Sequence, residues 1–180
     1  MKQHEAQGEV KLFYFDGSGF STTSSIPYAW QKVGETREIP CKRSQRLNVL
    51  GFMSRDNASH FHTIEGRVTS AAVIAVFDAF ATGYAIQYEK NPAPCIVILD
   101  NASIHHSKAV KLRMSDWMRQ GVFLHFLPVY SPELNLIEIL WRKIKYEWLP
   151  MNSYKSYESL KKSVLEIFQG FGSKHTITFA

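Results

Sequence analysis

The stretch CIVILD, residues 95–100, is an unbroken apolar run closed by a carboxylate. Such a run does not suit a strand with one side in water, which alternates apolar and polar residues. It suits a central strand covered on both faces, as in an α/β sheet. Asp100 then stands where the strand leaves the sheet, the place where side chains can converge on a ligand without disturbing the core.

Working outward from that strand, EVKLFYF at residues 9–15 is a second strand, filled with apolar and aromatic residues and ended by the D-G-S-G cluster at 16–19. Asp16 is expected to close it, with the glycines turning the chain away. YAWQKV (28–33) and RLNVLGFM (46–53) read as two more strands, so that three consecutive strands form an antiparallel meander. From Val68 the period changes to three and four, with Val68, Ala71, Ala72, Ala75, Val76, Ala79 and Phe80 on one helical face and Thr69 or Ser70 as cap. SKAVKLRMSDWMRQ (107–120) is an amphipathic helix stopped by Gly121, and VFLHFL (122–127) is a strand. Ile137, Trp141, Ile144 and Trp148 stripe a helix over 136–149, and a last helix covers 157–168, ending near Gly170. The order is three strands, helix, strand, helix, strand, helix, helix. It predicts an α/β fold, a mixed sheet flanked by helices.

A chain of 180 residues supports one core, and 45% hydrophobic with 13% aromatic content excludes a disordered chain. No uninterrupted apolar run reaches the ~20 residues of a membrane span, and MKQHEAQGE has no secretory core. A soluble cytoplasmic protein with no membrane partner is expected. Cys41 and Cys95 lie far apart without a C-x-x-C pair, which argues against a disulfide framework or zinc ribbon. The formal net charge of +5 inclines the chain toward a polyanion.

Three acids stand out by position: Asp16, Asp100 and Glu138. Carboxylates brought together repel, and one takes up a proton unless a cation neutralises them. Oxygen donors of this kind select Mg²⁺ or Mn²⁺. Each acid also has a plainer reading. Asp16 before Gly17 is turn chemistry, Asp100 before Asn101 closes a loop, and N-L-I-E at 135–138 is a capping box in which Glu138 bonds back to residue 135. Arg142, Lys143 and Lys145 follow Glu138 closely, as a phosphate-handling site needs; a Glu138–Arg142 pair on a solvated helix is the alternative. His60 and His62 share a strand face without a third ligand in view, and Trp30, Trp117, Trp141 and Trp148 read as core residues.

FYFDGSGF (13–20), VILDNASIHHS (97–107) and YSPELNLIEILWRKIK (130–145) together resemble the three catalytic blocks of the DDE-type transposases of the bacterial insertion-sequence group related to Tc/mariner elements. PYAWQKVGE (27–35) and SKHTITFA (173–180) resemble further family segments, and the 37 residues between Asp100 and Glu138 fit the family's spacing. The resemblance implies a ribonuclease H-like fold for residues 1–180, a single catalytic domain without the family's N-terminal helix-turn-helix region. It implies that Asp16, Asp100 and Glu138 are the catalytic, metal-binding triad for two Mg²⁺ or Mn²⁺ ions, and that Glu133 matches only a turn position. The implied reaction is DNA strand cleavage and transfer at insertion-sequence ends, in the bacterial cytoplasm at the nucleoid. Implied partners are transposon-end and target DNA, a separate or frameshift-fused helix-turn-helix segment, and a second copy on DNA. Arg142, Lys143, Lys145 and His105 are the expected DNA contacts.

The pattern departs from many relatives at Gly17, where an acid is common, and at Leu136, in place of a proline. Two other readings stand beside it. FDGSG also suggests a haloacid-dehalogenase-like phosphatase, but that chemistry needs D-x-D and position 14 is Tyr. A decayed or repurposed transposase fragment that binds nucleic acid is the non-enzymatic alternative.

Overall fold

The structure, a computed structural model, describes residues 2–23, 33–34, 45–90, 92–129 and 131–179. A short helix α1 (Lys2–Ala6) leads into β1 (Lys11–Ser21), followed by β2 (Arg46–Met53), β3 (Ser59–Glu65) and helix α2 (Ser70–Lys90). Then come β4 (Cys95–Leu99), α3 (Lys108–Arg119), β5 (Val122–Phe126), α4 (Ile137–Lys143) and α5 (Tyr157–Gln169). A π-helical turn (Ile144–Trp148) continues α4.

The five strands make one mixed sheet in the order β3-β2-β1-β4-β5. β1 to β3 are antiparallel neighbours, while β4 is parallel to both β1 and β5. The mixed α/β sheet expected from CIVIL is therefore present, with that run as an interior strand between β1 and β5, while β1 itself is the middle strand. The expected meander is present too, with one member exchanged. SHFHTIE, which contains the His60 and His62 pair, is the third strand; YAWQKV lies outside the described residues except for Val33, in a turn. The segments around Trp30 and Cys41 also lie outside them.

β1 does not end at Asp16. It continues to Ser21 because β2 pairs with it along Tyr14–Ser21, with Asp16 opposite Gly51 and Gly19 opposite Asn48. The glycines mark close approaches rather than a turn: a Cβ on Gly17 would press on the Leu50 side chain at 3.0 Å.

Side chains alternate across the sheet and fill two cores. Phe13, Phe15, Leu50 and Phe52 face α2 and α3, meeting Phe77 and Trp117, whose rings stack at 4.8 Å. Leu12, Tyr14, Val49 and Met53 face α4 and α5, meeting Ile137, Leu140 and Val164. The molecule is thus helix, sheet, helix. Among the described residues α2 alone is long and apolar enough, by length and composition, to cross a bilayer, although charged and polar residues interrupt its apolar run. Its Val73, Val76, Phe77 and Phe80 are buried in the core. Asp78 on the same helix accepts hydrogen bonds from Arg113 and from the Trp117 indole.

Candidate active site

The sheet's registers bring the three acids to one edge. β1 and β4 are in parallel register at Tyr14 and Ile98, and two residues further along both chains lie Asp16 and Asp100. β4 has ended by then, while β1 runs on along β2, so Asp16 sits beside the strand end from which Asp100 emerges. Even-numbered residues of β1 face α4, so Asp16 points to that side and Gly17 to the other. The Gly17 departure therefore falls on the face away from Asp16.

α4 supplies the third acid, and Asn135 holds this helix to β1. Asn135 is buried, and its Nδ2 donates to the Phe15 carbonyl at 3.0 Å, one residue before Asp16. The capping box expected at 135–138 is absent: Asn135 spends its amide on β1, and the helix is capped at Leu136 without a side-chain bond. Glu138 is half-buried and released from that structural role, whereas Glu133 is exposed before the helix. The alternative Glu138–Arg142 pair is also absent among the described residues; the ion pair of this segment joins Lys143 and Glu147 at 2.7 Å.

Asp100 stands between two hollows. One, of about 250 Å³, is lined by Asp100, Asn101, Ser131, Asn135 and Glu138. The other, of about 230 Å³, is lined by Asp16, Asp100, His105, Arg46 and Asn48. Asp100 is half exposed, with Oδ1 accepting from the Ala102 N–H at 3.1 Å. Asn101 fixes the strand end behind it, donating to the Leu127 carbonyl and meeting His106 Nε2 at 2.8 Å.

The three acids act on one another electrostatically. Burial, then the negative charge of Glu138 and that of Asp100, push the Asp16 carboxyl up to about 7, against hydrogen bonds from the Gly17 N–H and the Trp141 indole. Among the described residues no three His, Cys, Asp or Glu side chains are grouped closely enough to enclose a metal ion as they stand. The set fits a divalent cation by donor type and by facing, since three carboxylates from three elements offer hard oxygens and an excess of negative charge.

The expected basic residues divide. Lys145 lies near the acids: it feels Glu138, Arg46 and Asp16, is half-buried, and sets its Nζ 5.6 Å from the centre of the Phe20 ring. Burial holds its pKa below the usual lysine value. Arg142 is exposed, Lys143 is tied to Glu147, and neither lines the two hollows. His105 is buried, edge-on to Phe15, with Nε2 3.4 Å from Asp100 Oδ1. Burial lowers its pKa, so the ring is neutral at pH 7 and braces Asp100 from below. His60 packs on Phe13 and Phe80, and the pair gains no third ligand among the described residues.

Two contributors escaped the sequence reading. Trp141 is buried, as expected of a core residue, but its Nε1 also donates to Asp16 Oδ2 at 3.0 Å. Gly51 makes room for it, because a Cβ there would stand 2.9 Å from the indole Cη2 and from a Phe61 ring carbon. The signal lay in the strand register opposite Asp16, which no local motif reveals.

Solved structures of known proteins share the fold that carries these residues. A crystal structure of the Mos1 mariner paired-end complex with Mn is similar over 94% of this chain and 51% of its own, at 14% identity and a TM-score of 0.66. The crystal structure of the catalytic domain of Mos1 mariner transposase is similar over 93% of this chain and 74% of its own, at 16% identity and a TM-score of 0.60. At such identities the likeness is one of fold, and it is the ribonuclease H-like fold expected above. An uncharacterised protein, y4pE/y4sA of Sinorhizobium fredii, is 35% identical over 68 residues, which are 38% of this chain and 46% of that protein. The chain thus spans about half the length of these first relatives. The model of the DDE superfamily endonucleases matches residues 11–161, and the chain belongs to that family.

Proposed function

We propose that the chain is the catalytic domain of a DNA transposase that cuts a strand at an insertion-sequence end and joins the freed end to target DNA. The observation that carries the reading is the convergence on Asp16. Burial first, and then the charges of Glu138 on α4 and Asp100 at the end of β4, push the Asp16 carboxyl of β1 up to about 7. A fold that buries an acid against like charges, at a cost in stability, is explained when a cation is meant to join them.

Asp16, Asp100 and Glu138 are the residues that would hold two Mg²⁺ or Mn²⁺ ions, cations with which Mos1 complexes were solved. Bound there, such ions supply the positive charge that draws an attacking oxygen to a phosphodiester and stabilises the leaving one. The chain's own side chains do the positioning. Trp141 engages Oδ2 of Asp16 and so orients its carboxylate, neutral His105 supports Asp100, and Asn135 fixes the helix that presents Glu138. Lys145 offers a cation to the nucleic-acid backbone beside them. In this reading a separate or frameshift-fused helix-turn-helix segment recognises the element ends, two copies act together on DNA, and the protein works at the bacterial nucleoid without a membrane.

The test is a nicking and strand-transfer assay on plasmid DNA carrying the sequences that flank the protein's own gene, with Mg²⁺ or Mn²⁺. Wild-type protein should cut and join, and Asp100→Ala should lose at least a hundredfold, the scale of a lost first-rank electrostatic group. Equal activity in the two proteins would remove the triad assignment.

A further inference from the structure

One arginine beside the acids is built into place in a way that a solvent-facing side chain does not require. Arg46 begins β2, opposite Ser21, and lines the hollow that holds Asp16 and Asp100. Its side chain lies across β1 at Gly19: a Cβ on that glycine would fall inside the guanidinium. The Arg46 Nε donates to Asn48 Oδ1 at 2.9 Å, and Asn48 in turn donates from Nδ2 to the Gly66 carbonyl at 2.6 Å. The chain of contacts runs from the β3–α2 connection through β2 to the guanidinium. It fixes the plane and leaves the two terminal NH₂ groups for another acceptor. Among the described residues no carboxylate pairs with Arg46. Lys145, on the π-helical turn, lies near enough to feel its charge.

A guanidinium at the rim of this hollow that no carboxylate neutralises among the described residues is open to an anion. A planar guanidinium with Nε already engaged presents a two-pronged donor that matches two phosphate oxygens. We propose that Arg46, laid over Gly19 and held by Asn48, forms a phosphate-binding subsite beside the three acids, taking a phosphodiester of the DNA backbone that neighbours the reacting one. This rests on the reading of the site as one that acts on DNA. The subsite's role is to fix the strand's path across the acids. It reads no base, since phosphate contacts position and base contacts specify.

The experiment is fluorescence anisotropy with a labelled mixed-sequence duplex in EDTA, which stops cleavage, for the whole chain and its variants over a range of salt. Arg46→Ala should weaken binding about fivefold and lower the slope of log K against log salt by about one, as for one lost phosphate contact. Gly19→Ala keeps every charge and displaces only the flexible end of Arg46. It should cost about as much in the wild-type background and nothing further in the Arg46→Ala background. Lys162→Ala, an exposed charge on α5, is the control and should change little. Binding by Arg46→Ala equal to that of Lys162→Ala, or additive losses in the Gly19 and Arg46 pair, would overturn the subsite while leaving the transposase reading in place. Folded wild-type protein that does not bind the duplex would overturn both.

Discussion

Asp16 keeps its proton to about pH 7 in the metal-free protein because burial and the charges of Glu138 and Asp100 all oppose ionisation. The sign of the consequence follows from linkage. A carboxyl whose folded pKa lies above its unfolded value binds more protons folded than unfolded, so stability falls as pH rises between the two values, here from about 4 to about 7. Above pH 7 the penalty is complete. Asp16→Asn removes the charge yet keeps an oxygen for the Trp141 indole. It should stabilise the metal-free protein by roughly 1–3 kcal/mol at pH 8, with the gain fading through pH 6 and absent near pH 4. Urea melts at these pH values measure it, and a gain independent of pH would show that charge is not its origin. A stabilising substitution that abolishes activity is what a site holding stored repulsion predicts. At this scale the acids were legible because each interrupts or follows a strongly apolar stretch. Trp141 and Gly51 were not: the indole bond to Asp16 spans 125 positions, and the space it needs is the missing side chain of a residue on the neighbouring strand.

Single elements show where local chemistry misleads. D-G-S-G has the composition of a turn, and on composition alone β1 stops at Asp16; eight register pairs with β2 keep it extended instead. SHFHTIE is the sheet's outer member, with exposed and half-buried residues throughout, so no clean apolar face marks it as a strand. N-L-I-E looked like a capping box since the box is defined by spacing, whereas the side chain of Asn135 was claimed by a carbonyl 120 residues earlier. That bond is the joint between α4 and β1. Asn135→Ala should therefore cost about 1–3 kcal/mol, the scale of a buried carbonyl left without its partner. It should also weaken Mn²⁺ binding measured by calorimetry, because Glu138 rides on the same helix. The comparison is Leu160→Ala, which opens a cavity in the same core far along the chain: it should lower stability by about 2–5 kcal/mol and leave Mn²⁺ affinity near wild type. Equal effects of both on Mn²⁺ affinity would mean that Asn135 acts through general stability and not as a joint.

For the whole molecule, CIVIL was enough to set an interior strand, and the order of elements around it was enough for a mixed sheet with helices on both faces. The convergence of three acids could be expected only by resemblance, because it depends on two registers and one helix docking that no segment contains alone. That same dispersion makes the site a cross-brace. A cation held by Asp16, Asp100 and Glu138 would tie β1, the end of β4 and α4 together, and would remove the repulsion that costs the metal-free fold its stability above pH 7. Both effects act only on the folded chain, so Mn²⁺ at a hundred times its dissociation constant should stabilise the protein by about 2.7 kcal/mol, read as a rise in melting temperature at pH 8. The rise should shrink toward pH 5, where Asp16 is protonated and a proton must leave before the ion enters. Asp100→Asn and Glu138→Gln should each flatten it, and Asp16→Asn should combine a higher starting melting temperature with little response to metal. A response of wild-type size in all three variants would place the ion elsewhere on the chain.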